Sequence, residues 1–426
     1  MLIRLLASLG LLVSVNAYAD STASFMGGEH VTIGDDIKIR LSLTDVPHNN
    51  VTFNMTNGAS LSYGELLSLG DFYGVLGVPI ATGKTLEERE ARFKNVFDLV
   101  DIDPAAAPES AQLMDVLHNE VNYVQEAMSR GMSPKAAYEQ ISGDSIRQFN
   151  CITGGGCSPE LWWTKLGRSS RLASSNYDHF GDNAVLAYEA GHRVAMNEAV
   201  TAYRTHDLTH LQRAYAMNAL ACHFLADRFA TGHMRGPRVE MYEHVTPGDI
   251  GNVLMKFMHD EESTGLNVHN AAGDRWRAYG DGFYFEPNNA PHKQHVTNVM
   301  QQSADEIFSA FQSGKIIDNS KIPGMIPIPD EMNGVCKRDI AAMFIWDKNR
   351  QKILRRFDLD NPYACSWTSV WFGWSTLVKL AASKGMPVLA QVELAQSKYA
   401  NEAMDAGLIT DPNIVKFMKS DTILHR

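Results

Sequence analysis

The chain of 426 residues has no long apolar run beyond its first twenty residues. No later stretch reaches the roughly 18 unbroken apolar positions that a membrane helix requires. Positive charge is also scarce: the formal net charge is −11. That balance excludes a nucleic-acid binder working through a broad basic face, although a small phosphate-binding site remains compatible with it. Neither a G-x-S-x-G elbow nor a P-loop is present, so neither motif provides a serine nucleophile or a phosphate cradle. Internal repeats and low-complexity tracts are absent too.

Cysteine is sparse, with five residues in the whole chain. The spacing suits a small Gly-rich loop closed by Cys151 and Cys157, a second bridge between Cys336 and Cys365, and Cys222 left over and buried. Oxidised cysteines fit an exported protein. The opening residues MLIRLLASLGLLVSVNAYAD combine Arg4, an apolar core from Leu5 to Val15 and an Ala17-Tyr18-Ala19 cleavage site. They read as a secretory signal peptide over residues 1–19, with a mature start near Asp20 and a secreted or periplasmic product. A mature chain of about 400 residues can bury a large core.

Residues 21–60 are rich in Thr, Asn and Gly, and the alternation Ile37-Lys38-Ile39-Arg40-Leu41 reads as a short strand or extended segment. From Tyr63 onward, helical spacing dominates: 86–100, 108–130, 134–142, 183–203, 207–230, 248–260, 294–313, 337–347, 367–384 and 388–406. The expected class is mainly α. The Pro-rich stretch 323–329 marks a boundary between a catalytic domain over 20–322 and a helical C-terminal region over 323–426. Trp367, Trp371 and Trp374, at i, i+4 and i+7, would share one helical face, serving either the core or a lipid interface.

The segment HFLADRFATGH carries the chemistry. It places His223, Asp227 and His233 in an H-x3-D-x5-H pattern. Residues four apart share a helix face, and Gly232 can end the helix and return His233 toward it. Two imidazoles and a carboxylate form a first shell for zinc or a similar divalent ion. Further candidate ligands lie elsewhere: His30, Asp71 in GDFYG, Asp178-His179 before a helix, and His259 followed by Asp260, Glu261 and Glu262. Asp178 reads equally as a helix cap. His269 with Asp274 is a further pair. So many ligands exceed the needs of one tetrahedral ion and suit two to three zinc ions bridged by carboxylates, a cluster able to lower the pKa of a bound water and offset phosphoryl charge.

These residues resemble the zinc-dependent phospholipase C and P1 nuclease superfamily. Over roughly residues 27–285, EHVTIGD, GDFYG, NYDHFGDNA, AYAMNALACHFLADRFATGH and HDEESTGLNVHNAAGDRWRAYGDG look like the secreted zinc phospholipases C of Legionella and Pseudomonas. The resemblance implies an all-α fold with up to three zincs. It implies His223, Asp227, His233, His179 and His30 as ligands, with Asp227 bridging two ions. It also implies that Asp71 is both a ligand and the residue that orients the attacking water, with Asp178 as the rival for that role. His259 with Asp260 or Glu262 would complete the set. The chain departs from the superfamily pattern in lacking a Trp at the expected mature start. Ser263 and Gly273 stand four residues after His259 and His269, where the pattern has an acid. Asp71 and His179 are also far enough apart in the chain that an insertion must be accommodated between them.

The implied activity is hydrolysis of the glycerol–phosphate bond of phospholipids such as phosphatidylcholine at a membrane surface. The products would be diacylglycerol and a phosphorylated headgroup. A P1-type nuclease on the same metals is the alternative, though no nucleic-acid partner is expected from the charge. An HD-type phosphohydrolase draws on Thr205-His206-Asp207 and His259-Asp260. A zinc-stabilised binding protein is disfavoured by the surplus carboxylates, because structural zinc sites are usually closed by Cys and His.

Overall fold

A computed structural model describes residues 26–383, except 160–161, 163–164, 176, 247, 332–335 and 337–338. The signal-peptide reading and the helix expected over 388–406 therefore lie outside the described residues. In chain order the elements are α1 (Gly27–Asp35), β1 (Thr52–Asn54), β2 (Ser60–Ser62), α2 (Tyr63–Ser68), α3 (Leu86–Asp101), α4 (Ala106–Ser129) and α5 (Pro134–Ile152). There follow α6 (Arg168–Ser175), α7 (Gly181–Thr205), α8 (Leu208–Asp227), α9 (Arg238–His244), α10 (Gly248–Glu262), β3 (Leu266–His269) and β4 (Arg275–Ala278). The last are α11 (Ala290–Ser313), α12 (Ile322–Met325), β5 (Ile328–Pro329), β6 (Phe344–Asp347), β7 (Lys352–Arg356), β8 (Trp367–Thr368) and α13 (Gly373–Ser383). The protein is mainly α, as the periodicity predicts.

Local chemistry sets the helix starts. Ser62 caps α2 in a reciprocal box: its hydroxyl accepts from the Glu65 amide at 3.1 Å, and the Glu65 carboxylate accepts from the Ser62 amide at 2.7 Å. Thr85 caps α3 through the Glu88 amide, and Ser133 caps α5 ahead of Pro134. His206 ends α7 in the left-handed region, and Asp207 then caps α8 through the Thr209 amide.

Helix α8 is the axis of the fold. Every residue from Ala214 to Asp227 is buried, so this helix is enclosed all round. Its alanines let α7 lie close. A Cβ at Gly191 of α7 would sit 2.7 Å from the Ala221 Cβ, an approach only glycine permits. Helices α2, α3, α7 and α11 enclose α8 in one large core. Among the described residues three small antiparallel sheets lie around the helices: β1-β2, β4-β3-β5 and β6-β7-β8.

Several expectations are corrected. Ile37 to Leu41 is extended, with Ile37 and Ile39 buried, but it makes only a single bridge from Ile39 to His48. The strands of that region are β1 and β2. Residues 344–347 form β6 instead of the end of a helix, because Phe344 and Ile345 pair with Arg355 and Leu354. The three tryptophans do not share a helical face. Trp367 is in β8, Trp371 precedes α13, and Trp374 lies within it. Trp367 donates to the Ala342 carbonyl and Trp371 to the Ile353 carbonyl, and the rings pack with Met258 and Phe344 in a second core beneath α10. Cross-strand contacts override helical spacing here. Part of the 323–329 stretch is also recruited into a sheet, since β5 pairs with β3. Cys151 pairs with Cys157 and Cys336 with Cys365, while Cys222 is buried as a free thiol.

Candidate metal centre

The H-x3-D-x5-H segment is built from two elements. His223 and Asp227 occupy the last turn of α8, with the His223 Nε2 atom 3.3 Å from an Asp227 oxygen. Helix α8 ends at Asp227, and His233 is presented by a separate 3-10 turn, Thr231–His233. Gly232 therefore does not end the helix. Its role is close approach: a Cβ there would lie 2.5 Å from His259 Cδ2 and 2.8 Å from the His259 carbonyl oxygen. Gly70 does the same on the other side, where a Cβ would lie 2.2 Å from the His223 ring.

Around this segment the fold gathers ligands from distant parts of the chain. His30 comes from α1, and its Nε2 lies 3.2 Å from Asp227 Oδ1. His179, just before α7, places Nδ1 2.5 Å from Asp227 Oδ2 and 3.0 Å from His223 Nε2. Asp71 closes the turn after α2 and reaches to 3.6 Å from His223 Nε2. His259, in the last turn of α10, faces His233 Nε2 at 3.1 Å and Asp281 Oδ2 at 2.8 Å. Three ligand groups result: His30, Asp71 and His223; His179, His223 and Asp227; His233, His259 and Asp281. In each, the ligand atoms lie within 4.8 Å of one another.

Five imidazoles and three carboxylates thus converge in a site buried but for Asp71. Buried His/Asp clusters of this kind can hold divalent metal, because nitrogen and carboxylate oxygen are the donors such ions take. The His179 Nδ1 and His223 Nε2 atoms, 3.0 Å apart, support the fit, since two neutral rings at that distance share one proton at most.

Electrostatics prepare most of the ligands. Burial holds the His179, His223 and His233 imidazoles below the usual histidine range, so they are neutral and their lone pairs are available. Burial also pushes Asp227 up to about 7, against the pull of His30. For His259 burial opposes the charged form, but Asp281 and then Asp260 outweigh it and raise the ring to about 10. At pH 8 the metal-free ring therefore carries a proton that a metal must displace. Metal uptake at pH 8 is expected to release about one proton per protein, and more below pH 7 as Asp227 also becomes protonated. Calorimetric titration in buffers of different ionisation heat reads this directly; a binding heat independent of buffer at pH 8 would contradict it.

The sequence candidates divide. His30, Asp71, His179, His223, Asp227, His233 and His259 are brought together. Asp178, Asp260 and Glu262 are in none of the three groups. Asp178 is neither a ligand there nor a helix cap: its carboxylate accepts the amides of Ile80 and Ala81 at 2.6 and 2.8 Å, pinning the loop before α3. Asp260 contacts His259 Nδ1 at 3.1 Å, on the ring edge away from the ligand group. Glu262 binds Arg235 at 2.8 Å. Glu261 forms a two-pronged pair with the fully buried Arg356 at 2.6 and 2.8 Å. His269 pairs with Asp330 and Asp274 with Asn270, both on the β3–β4 hairpin.

Removing Glu261 leaves a buried guanidinium uncompensated. Glu261→Ala is therefore expected to cost about 3 kcal/mol of stability. Its metal content should be unchanged, as checked by denaturant unfolding alongside metal analysis.

Asp281 is the candidate ligand that sequence reasoning missed. It lies in Gly280-Asp281-Gly282, a glycine-flanked acid like that of Gly70-Asp71, and this was the available signal. Glu29 holds its loop in place by accepting the amides of Gly282 and Tyr284 at 3.2 and 3.0 Å. Burial and then Asp281 push Glu29 up to about 8, so at neutral pH it is largely protonated and adds little negative charge beside the centre.

A cavity of about 110 Å³ opens onto Asp71, His179 and His259. Its walls are mostly apolar: Ile146 and Phe149 of α5, Trp162, Leu166, Leu172 of α6 and Met255 of α10. Comparison with family models, curated proteins and solved structures finds no match for the chain.

Proposed function

We propose that the protein is a zinc-dependent phosphodiester hydrolase, and specifically a phospholipase C acting on phospholipids such as phosphatidylcholine. One observation carries the reading: a polydentate His/Asp centre lies at the end of an apolar-walled cavity. Zinc held there by His30, Asp71, His179, His223, Asp227, His233, His259 and Asp281 would supply Lewis acidity toward phosphoryl oxygens and lower the pKa of bound water. The chain's own residues do the rest. Asp71, the ligand nearest solvent, is placed to accept a hydrogen bond from the attacking water and orient it. Phe149, Trp162 and Leu172 receive the apolar diacylglycerol portion and exclude water from the scissile bond. A lysine and an arginine also border the cavity: Arg238 donates to the Asn252 and Ala173 carbonyls, and Lys256 is ion-paired with Asp260.

A lipid substrate is also favoured by the loop before α13, where Val370 and Phe372 are 82% and 78% exposed on either side of the anchored Trp371. Exposed apolar side chains on a fixed loop suit an interface. Among the described residues no helix is long and apolar enough to cross a membrane.

The test is an assay of purified protein on phosphatidylcholine and on single-stranded DNA, with chelator and with zinc restored. Release of diacylglycerol and phosphocholine that stops with chelator and returns with zinc is expected. Lipid cleavage that survives metal removal sinks the zinc mechanism. DNA cleavage without lipid cleavage establishes the nuclease alternative.

A further inference from the structure

Helix α10 carries a charged trio whose geometry extends beyond the ligand groups. Lys256, His259 and Asp260 lie on adjoining turns. The two carboxylate oxygens of Asp260 have different partners. Oδ1 faces His259 Nδ1 at 3.1 Å, and Oδ2 is held by the Lys256 ammonium in an i,i+4 ion pair. The other ring nitrogen, His259 Nε2, faces His233 and Asp281. Glycine at 232 keeps the His259 ring pressed against the 3-10 turn, so its translation is already restricted. What remains to be set is which nitrogen carries the proton and how the ring is rotated.

We propose that Asp260 is a positioning residue for the third ligand group, accepting the Nδ1 proton of His259 so that Nε2 presents its lone pair to a metal, and that Lys256 orients Asp260 for this task. A carboxylate behind a ligating imidazole fixes its tautomer and raises its basicity. Lys256 keeps Oδ2 occupied, which turns Oδ1 toward the ring. Asp260 thus acts through His259 and contacts neither metal nor substrate. The inference rests on the metal-centre reading and is independent of which phosphodiester is cleaved.

The experiment measures zinc affinity by competition with a chromophoric chelator in the full-length wild type, Asp260→Ala, Asp260→Asn and Lys256→Met. Substituting cobalt(II) for zinc adds a visible spectrum of the ligand field. Asp260→Ala is expected to weaken one class of bound ion by about 10- to 100-fold and leave the others unchanged. Asp260→Asn, whose amide oxygen still accepts from Nδ1, should recover part of that loss. Lys256→Met should fall between wild type and Asp260→Ala. Thermal unfolding of the metal-free proteins separates a folding defect from loss of ligand positioning. Equal zinc affinity and an unchanged cobalt spectrum in Asp260→Ala overturn the proposal, as does an equal loss from every class of ion. Failure to cleave lipid with zinc affinities shifted as expected overturns the phospholipase reading alone. A wild type that binds no zinc overturns both.

Discussion

Asp227→Asn is expected to lose bound zinc and hydrolytic activity together, with activity falling by more than about 100-fold, beyond the range of a residue that only supports a ligand. The reason is connectivity. Asp227 Oδ1 lies 3.2 Å from His30, while Oδ2 lies 2.5 Å from His179 and 3.3 Å from His223. Each oxygen serves different imidazoles: Oδ2 those of its own ligand group, and Oδ1 that of His30 in the neighbouring group. An amide supplies one acceptor and aims a donor at the other side. Stability should move the opposite way when metal is absent. The folded carboxyl is raised to about 7, above its value in an unfolded chain. The folded state therefore retains a proton that the unfolded state gives up, and the cost of ionising it grows as pH rises from about 4 to about 7. Above that window the cost is fully present. Metal-free Asp227→Asn should then melt no lower than metal-free wild type at pH 8, while with zinc the wild type should be the more stable. Metal analysis, diacylglycerol release and melting with and without zinc check this. Unchanged zinc content would remove Asp227 from the centre.

The second large effect comes from a single methyl group. Gly70→Ala places Cβ 2.2 Å from the His223 ring and 2.8 Å from its Cβ. The ring cannot swing away, because His30, His179 and Phe224 surround it with centroids at 4.5, 4.8 and 5.3 Å. Overpacking of this kind costs about 1–3 kcal/mol. Here the displaced group is also a proposed zinc ligand, so zinc affinity should fall with stability. Gly232→Ala should act similarly on His259, where part of the obstruction is backbone. Gly324 is the control: nothing lies within 4 Å of its added Cβ, and Gly324→Ala should leave melting temperature and zinc affinity as in the wild type. A Gly70→Ala protein with wild-type zinc affinity would show that the His223 ring is freer than its packing implies.

Much of the helical core was legible in the sequence because burial repeats at helical spacing. Helices α3, α7, α8 and α10 fall within a few residues of their expected bounds. Although α13 falls inside the helix expected over 367–384, the segment just before it was not legible, for a definite reason. Trp367, Trp371 and Trp374 have helical spacing, yet Trp367 pairs with β7 and Trp371 donates to β7 and lies against Phe344, and these contacts outweigh local preference. The candidate site shows the same division. His223 and Asp227 needed only one helix face to be paired. His259 could be chosen as a candidate, but its carboxylate could not be read from the residues that follow it. A helix turns Glu261 and Glu262 away from His259, toward Arg356 and Arg235, and sets Asp260 against the Nδ1 edge of the ring, opposite His233 and Asp281. The acid that meets it, Asp281, arrives from a loop across the fold.

The sequence by itself determined the helical class and the pairing of His223 with Asp227, because both follow from periodicities of a few residues. It also marked all five histidines that converge on the site as candidates, because so many potential ligands exceed what one ion needs. The tertiary structure alone decided how those ligands divide into groups, that Asp281 joins them and that Asp178, Asp260 and Glu262 do not. Those choices depend on which segments bring their ligand atoms within 4.8 Å of one another. That distance is set by glycines 70 and 232, by Glu29 holding the Asp281 loop and by the burial of α8 on every side. None of these is a property of residues adjacent in the chain.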